Sequence, residues 1–352
     1  MLLEMKQPAC SRDFYVVANF IIRVLNYAEK HAGRPFDEAL FRQYFGGEAQ
    51  WYLRYTGIVR KGLESLFQLN SDEIGLIRDT FKHDYAFHKK RWDINYRFKS
   101  VSLPQPLFNV LRDFIEPFFT SIFCDGSFRN LKGQQTARLD RKTYLDQYRS
   151  INHHNSHVCP TCLGSIGILS GLLLAENEHY FPKSKYAALA FSPNNLIPIC
   201  SECNSPQVHG STDPIEDHNM ANITNIYLPY YQTALGHIKL NFEFGMGLFH
   251  VTITPILEGD VINIERIKRM NILYKLEDRW SERITLRFGL IKTSIMKYTK
   301  GDLTKENIEK ALCYREDVCK PHITDNSDAF LEMEFVKWLR TVYINKLLLS
   351  FN

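Results

Sequence analysis

The chain has 352 residues, a formal net charge of +4, and a composition that is 45% hydrophobic and 13% aromatic. So apolar a chain is no disordered polypeptide, and at this length it buries a sizeable core divided into two or three lobes. The small net charge does not by itself mark a nucleic-acid partner, so the placement of the basic residues has to be read instead.

The N-terminal MLLEMKQPAC sets charges and a proline directly after two leucines and lacks the apolar core of a signal peptide. The longest nearly uncharged apolar run, Leu163 to Ala175, is shorter than the ~20 residues that cross a bilayer. The expectation is a cytoplasmic protein with no membrane partner.

Residues 1–125 read as a helical lobe. "FYVVANFIIRVLNYAEKH" spaces Val17, Phe20, Ile21, Val24 and Leu25 as a helix does, and Gly33 and Pro35 end it. "SDEIGLIRDTFK" opens on Ser71 as N-cap with acids in its first turn. "PLFNVLRDFIEPFFTSIF" is helical, with Pro117 kinking or dividing it. Residues 126–150 are polar and basic and read as a connector. Residues 151–220 hold the metal-type residues. Residues 221–352 read as a C-terminal lobe: "HIKLNFEF" and "LFHVTITPI" alternate as two antiparallel strands, and helical patterns follow. The fold class expected is α+β.

Eight cysteines divide into two groups. Cys10, Cys124, Cys313 and Cys319 stand singly, whereas Cys159/Cys162 and Cys200/Cys203 form two C-x-x-C pairs. In a reducing compartment two such pairs supply four thiolates to one tetrahedral Zn²⁺ with no open position, which is a structural site. Pro160 and Gly164 suit the tight turn of the first knuckle. His153, His154 and His157, just upstream, read either as a polar entry loop or as an alternative ligand or phosphate contact.

Between the knuckles the sequence runs Glu178-His179-Tyr180-Phe181-Pro182-Lys183-Ser184, then Asn195-Leu196, then Cys200-Ser201-Glu202-Cys203-Asn204. This order and spacing, from Cys159 to His209, resembles the zinc-knuckle subgroup of the HNH endonucleases. "YLPYYQ", Tyr227 to Gln232, resembles a Pro-Tyr-aromatic segment downstream in some bacterial members. The resemblance implies a zinc-stapled ββα-metal unit between the helical N-terminal lobe and the α+β C-terminal lobe. It implies His179 as general base and Glu178 as a ligand of a catalytic Mg²⁺ or Mn²⁺, in place of the usual aspartate. Asn204, on the first turn of the α element, would be the second protein ligand. Asn195 would tie the loop and orient His179, and His209 would supply the third polar position. Many relatives carry a lysine three residues after the Asn204 position, where this chain has Gln207.

The residue types suit that chemistry. Phosphodiester hydrolysis needs a base near neutrality and a hard cation held by oxygen ligands. Adjacent strand residues point to opposite faces, so Glu178 and His179 can serve different partners. Taken singly, each of these residues also suits a strand, packing or capping role; in this order and this frame they point to a nuclease. The resemblance implies cleavage of DNA, with RNA as the alternative substrate, leaving 5′-phosphate and 3′-hydroxyl ends. It also implies a setting in bacterial restriction or anti-phage defence; a further alternative, favoured by the large lobes on both sides, is a nuclease subunit switched on by an ATPase or sensor partner. The rival expectation is a zinc-dependent module that binds nucleic acid without cutting it. Arg138, Arg141, Lys142 and Lys183 are the candidate phosphate contacts. "FKHDYAFHKKRWDINYRFK", Phe81 to Lys99, mixes basic and aromatic residues and reads either as an amphipathic segment or as a nucleic-acid surface.

Overall fold

A computed structural model describes residues 1–123, 140–169, 172–215 and 222–351. The N-terminal part is built from helices α1 (Ser11–Lys30), α2 (Glu38–Phe45), α3 (Gly47–Leu53), α4 (Thr56–Phe67), α5 (Ser71–Tyr85) and α6 (Gln105–Pro117). α1 buries Phe14, Val17, Ile21, Val24, Leu25 and Ala28, the stripe its sequence spacing predicts. α5 is capped by Asn70 rather than by the expected Ser71. The Asn70 amide oxygen accepts from Glu73 N–H at 3.0 Å, and the Glu73 carboxylate accepts from Asn70 N–H at 2.9 Å. Either residue type can cap, and the reciprocal bond to an acid three residues on selects Asn70. Pro117 ends α6, and Phe118–Phe123 continue in wider π-type turns.

Helices α4 and α6 meet backbone to backbone at Gly62. A methyl group there would lie 2.8 Å from the Asp113 carbonyl oxygen and 3.0 Å from Phe114 Cα. Backbone atoms cannot swing aside as a flexible side chain would. Gly62→Ala is therefore expected to cost about 1–3 kcal/mol, read as a lower denaturation midpoint. An unchanged midpoint would mean that the helices do not approach this closely.

Of the expected connector, the part described begins at Asp140. Its carboxylate accepts from Thr143 N–H at 2.6 Å and caps α7 (Arg141–Ile151), which buries only Tyr144, Leu145 and Tyr148. So narrow an apolar stripe on a charged helix reads as a linker in sequence. Arg138 lies outside the described residues.

Among the described residues, three two-stranded antiparallel sheets follow. β1 (Ile168–Leu169) pairs with β2 (Leu172–Leu173), β3 (Glu176–His179) with β4 (Leu196–Ile199), and β5 (Ile238–Gly245) with β6 (Leu248–Pro255). The β5–β6 turn places Met246 at φ 51° and Gly247 at φ 80°, the paired positive angles that fit a hairpin's twist. Backbone N–H groups of Phe249, Val251 and Ile253 donate to Thr285, Ser281 and Glu277 side chains at 2.8–3.0 Å. Those three residues recur every four positions on α9 (Leu276–Thr299), so one helix face closes the β6 edge. α8 (Val261–Tyr274) precedes α9 and is separated from it by Lys275 in the left-handed region; α10 (Lys305–Cys319), α11 (Ala329–Trp338) and α12 (Ile344–Leu349) complete the chain.

Two cores result, and the β3–β4 hairpin is wedged between them. One core holds the side chains of α1 to α6 together with Ala187, Ala188, Phe191 and Leu196. The other holds the cysteine knuckles, Tyr180, Phe181, Ile197, Ile199 and the C-terminal elements. Alternation along β4 sends Leu196 to the first core and Ile197 and Ile199 to the second. Each such buried side chain stabilises by about 1.5–3 kcal/mol, so the hairpin is held from both faces.

Candidate metal centre and the hairpin site

Cys159, Cys162, Cys200 and Cys203 converge in one buried cluster, their sulfur atoms within 4.8 Å of one another. Cys159–Cys203 and Cys162–Cys200 are each 3.8 Å apart, too long for disulfides. With Zn–S bonds of about 2.3 Å, a regular tetrahedron has S–S edges of about 3.8 Å. The donor set therefore fits Zn²⁺. N–H groups of Gly164, Cys200 and Cys203 point at sulfurs at 3.3–3.5 Å, as thiolates require. A methyl group at Gly164 would lie 3.2 Å from the Cys162 sulfur and 2.7 Å from Arg283 Nη2, which accounts for the glycine.

A zinc tetrathiolate carries two negative charges, and α9 supplies two guanidiniums against them. Arg279 Nη1 donates to the Cys203 sulfur at 3.2 Å, and Arg283 Nη2 to Cys162 at 3.5 Å. Both arginines pair with Glu202, inside the second knuckle, at 2.7 and 3.3 Å. Between them, Trp280 Nε1 donates to the Cys162 carbonyl at 3.0 Å. Hydrogen bonds from Cys159 and the other two thiols, then the Arg283 charge, hold the Cys162 thiol well below its ordinary value. The double variant Arg279→Ala, Arg283→Ala is expected to weaken zinc retention about 10–100-fold, read by transfer to a chromophoric chelator. Retention equal to the parent protein would show that the charge is balanced elsewhere.

The β3–β4 hairpin leads from one knuckle towards the other, with His179 opposite Leu196 and Glu178 opposite Ile197. Asn177 and His179 are buried on one face, while Glu176 and Glu178 are half-buried on the other. His179 Nε2–H donates to the Ala190 carbonyl at 2.9 Å, and Phe119 packs edge-on against the ring at 4.3 Å. A carbonyl only accepts, so Nε2 carries the hydrogen and the lone pair of the neutral ring is at Nδ1. Burial keeps His179 below its ordinary value, opposed by the Ala190 bond and the neighbouring Glu178 charge. Asn195 fixes this loop: its amide donates to the Phe181 and Leu189 carbonyls at 3.0 and 3.2 Å and accepts from Phe181 N–H at 2.7 Å.

On the other face Glu178 Oε1 lies 3.2 Å from Nδ1 of the buried His209, which is also 3.2 Å from the Gly210 carbonyl. Both neighbours accept, so Nδ1 carries the proton in the neutral ring and the lone pair falls at Nε2. His209 stacks on Tyr274 at 5.5 Å, and both His209 Nε2 and the Tyr274 hydroxyl are buried without a partner among the described residues. Orphaned polar atoms of this kind suit a cation or an ordered water.

Other expected residues fall elsewhere. Asn204 is half-buried, with its backbone N–H on the Cys200 carbonyl at 3.1 Å. The helix expected to carry it is absent among the described residues: 201–211 run as successive turns. Pro206 lacks an N–H, and Gly210, at φ 52°, is so close to Pro206 that a methyl group would lie 2.9 Å from its carbonyl oxygen. Lys183 pairs with Glu116 at 2.6 Å and lines an open cleft of about 280 Å³ with Arg112, Asp113 and Ala190. Arg141 pairs with Glu176, and Lys142 is exposed on α7. Comparison with protein-family models, with curated proteins and with solved structures gives no match to this chain. What stands is a helix-rich protein with small antiparallel sheets and a buried four-cysteine cluster fit for a metal ion such as zinc. Among the described residues, no helix is long and apolar enough to cross a membrane.

Proposed function

We propose that the chain is a metal-dependent endonuclease of HNH type that hydrolyses phosphodiesters in DNA, with RNA as the alternative substrate. The observation that carries this reading is the end of β3. There His179, tethered through Nε2 and kept neutral by burial, sits beside a carboxylate that meets a second imidazole across the strand. Nδ1 of His179 takes the proton from water. Glu178 and Asn204 would hold a Mg²⁺ or Mn²⁺ ion, which would offset charge on the phosphate and the departing oxygen, and His209, against Glu178, would be the third polar position. Asn195 keeps Ala190 and so the imidazole in place, while the structural zinc and its arginines hold the hairpin's ends. The lobes on either side suit a nuclease switched by a partner such as an ATPase or sensor subunit, in restriction or anti-phage defence.

A second reading, a zinc-stapled module that binds nucleic acid without cutting it, draws on the cover over the imidazole. His179 is only 8% exposed beneath Phe119, and Lys183 is engaged by Glu116. Incubating zinc-loaded protein with plasmid and either Mg²⁺ or Mn²⁺ separates the two. Cleavage that stops with chelation of the added ion supports the nuclease; binding without any cleavage supports the module.

A further inference from the structure

Packing settles the fate of all but one aromatic side chain in Phe81–Lys99. Phe81, Tyr85, Phe87, Tyr96 and Phe98 are at most 6% exposed, whereas Trp92 is 62% exposed and its neighbour Ile94 66%. Trp51 and Trp280 are buried and Trp338 is half-buried, so Trp92 is the tryptophan that the fold leaves in water. In the same segment Lys89, Lys90 and Arg97 are exposed and Arg91 is half-buried; Asp93, next to Trp92 in the chain, lies 3.8 Å from Lys90.

This patch is braced against the hairpin site. The Arg91 guanidinium lies 5.7 Å from the Trp92 ring and 5.1 Å from the Tyr231 ring. His88 stacks parallel on the other ring of that pair, Tyr231, at 6.1 Å, and Tyr231 OH donates to Asn194, next to Asn195, at 2.6 Å. Phe87 packs edge-on to Phe181 at 5.4 Å, two residues beyond His179. An exposed indole with a guanidinium against it and two lysines just before it in the chain has the chemistry to stack on an unpaired base while these cations meet the adjoining phosphates. A duplex keeps its base faces covered and offers only the second contact.

We propose that Trp92, with Lys89, Lys90 and Arg91, is a stacking platform for single-stranded nucleic acid. It rests on the nucleic-acid reading above and names the form of the strand beside the site. The test is binding of labelled oligo(dT), oligo(rU) and a DNA duplex to the full chain with chelator present, followed by anisotropy and tryptophan emission. Both single strands are expected to quench emission. Trp92→Ala should weaken their binding about tenfold or more, and Trp92→Phe should keep most of it. Lys89→Glu with Lys90→Glu should flatten the salt dependence. Single-strand binding by Trp92→Ala equal to the parent protein would overturn the platform, whether or not the protein cleaves. Trp92-dependent binding in a protein that never cleaves would refute the nuclease and leave the platform standing.

Discussion

Cys203→Ser is expected to yield a protein that holds no zinc, loses most of its soluble yield and melts without a sharp transition. The cluster sits in the larger core, where Cys159, Cys162 and Cys203 are at 0% exposure. With three ligands the ion is lost, and the buried Arg279 and half-buried Arg283 are left without the thiolate charge they oppose. Structural zinc contributes roughly 10–16 kcal/mol in small units, comparable with the whole stability of a domain. Metal analysis of the parent protein should find about one tightly held zinc per chain, and Cys313→Ser, outside the cluster, should leave it in place. A zinc-free parent protein with a normal melt would remove the staple from this account.

His179→Ala is expected to lower phosphodiester cleavage by about 10²–10⁴-fold while zinc content stays unchanged. The substitution also strands the Ala190 carbonyl, at a cost of about 1–3 kcal/mol, so the melt of the variant must be read alongside its rate. The pH profile gives an independent reading. Because burial depresses the His179 pKa, the neutral base persists below the ordinary histidine value of about 6.5. Cleavage should hold level down to that pH and fall only below it. Stability follows the same direction. His88 is also depressed, to about 4, by burial and then by Lys89 and Arg91. For both imidazoles, protonation favours the unfolded chain. Their stability is fully present above about pH 6.5 and is lost as the pH falls through the folded values. An acid limb centred above neutrality would contradict His179 as the base.

The features legible in the sequence were those written over short spans. Two C-x-x-C spacings gave the thiol cluster, and the alternation of Ile238, Leu240 and Phe242 gave β5. The order Glu178-His179, Asn195 and Cys200 marked the hairpin, because each residue lies within a few positions of a strand end. The residues that complete the site are far along the chain. Arg279 is 76 positions from Cys203, and Tyr274 reaches His209 from another helix. An arginine pair four residues apart on a charged helix looks like an ordinary solvated face until a knuckle is set against it. Among the described residues, turns replace the expected α element at 201–211 for a local reason, Pro206 followed by Gly210. In Phe81–Lys99 the amphipathic reading held for five aromatics, and only burial singles out Trp92.

The most direct measurement is plasmid cleavage by zinc-loaded protein and by a zinc-loaded, folded His179→Ala variant, in Mg²⁺ or Mn²⁺. The account predicts nicked or linear product from the parent protein, none in chelator, and a loss of at least about 10²-fold in the variant. Equal rates in the two proteins, or equal inertness while both still bind DNA, would contradict it.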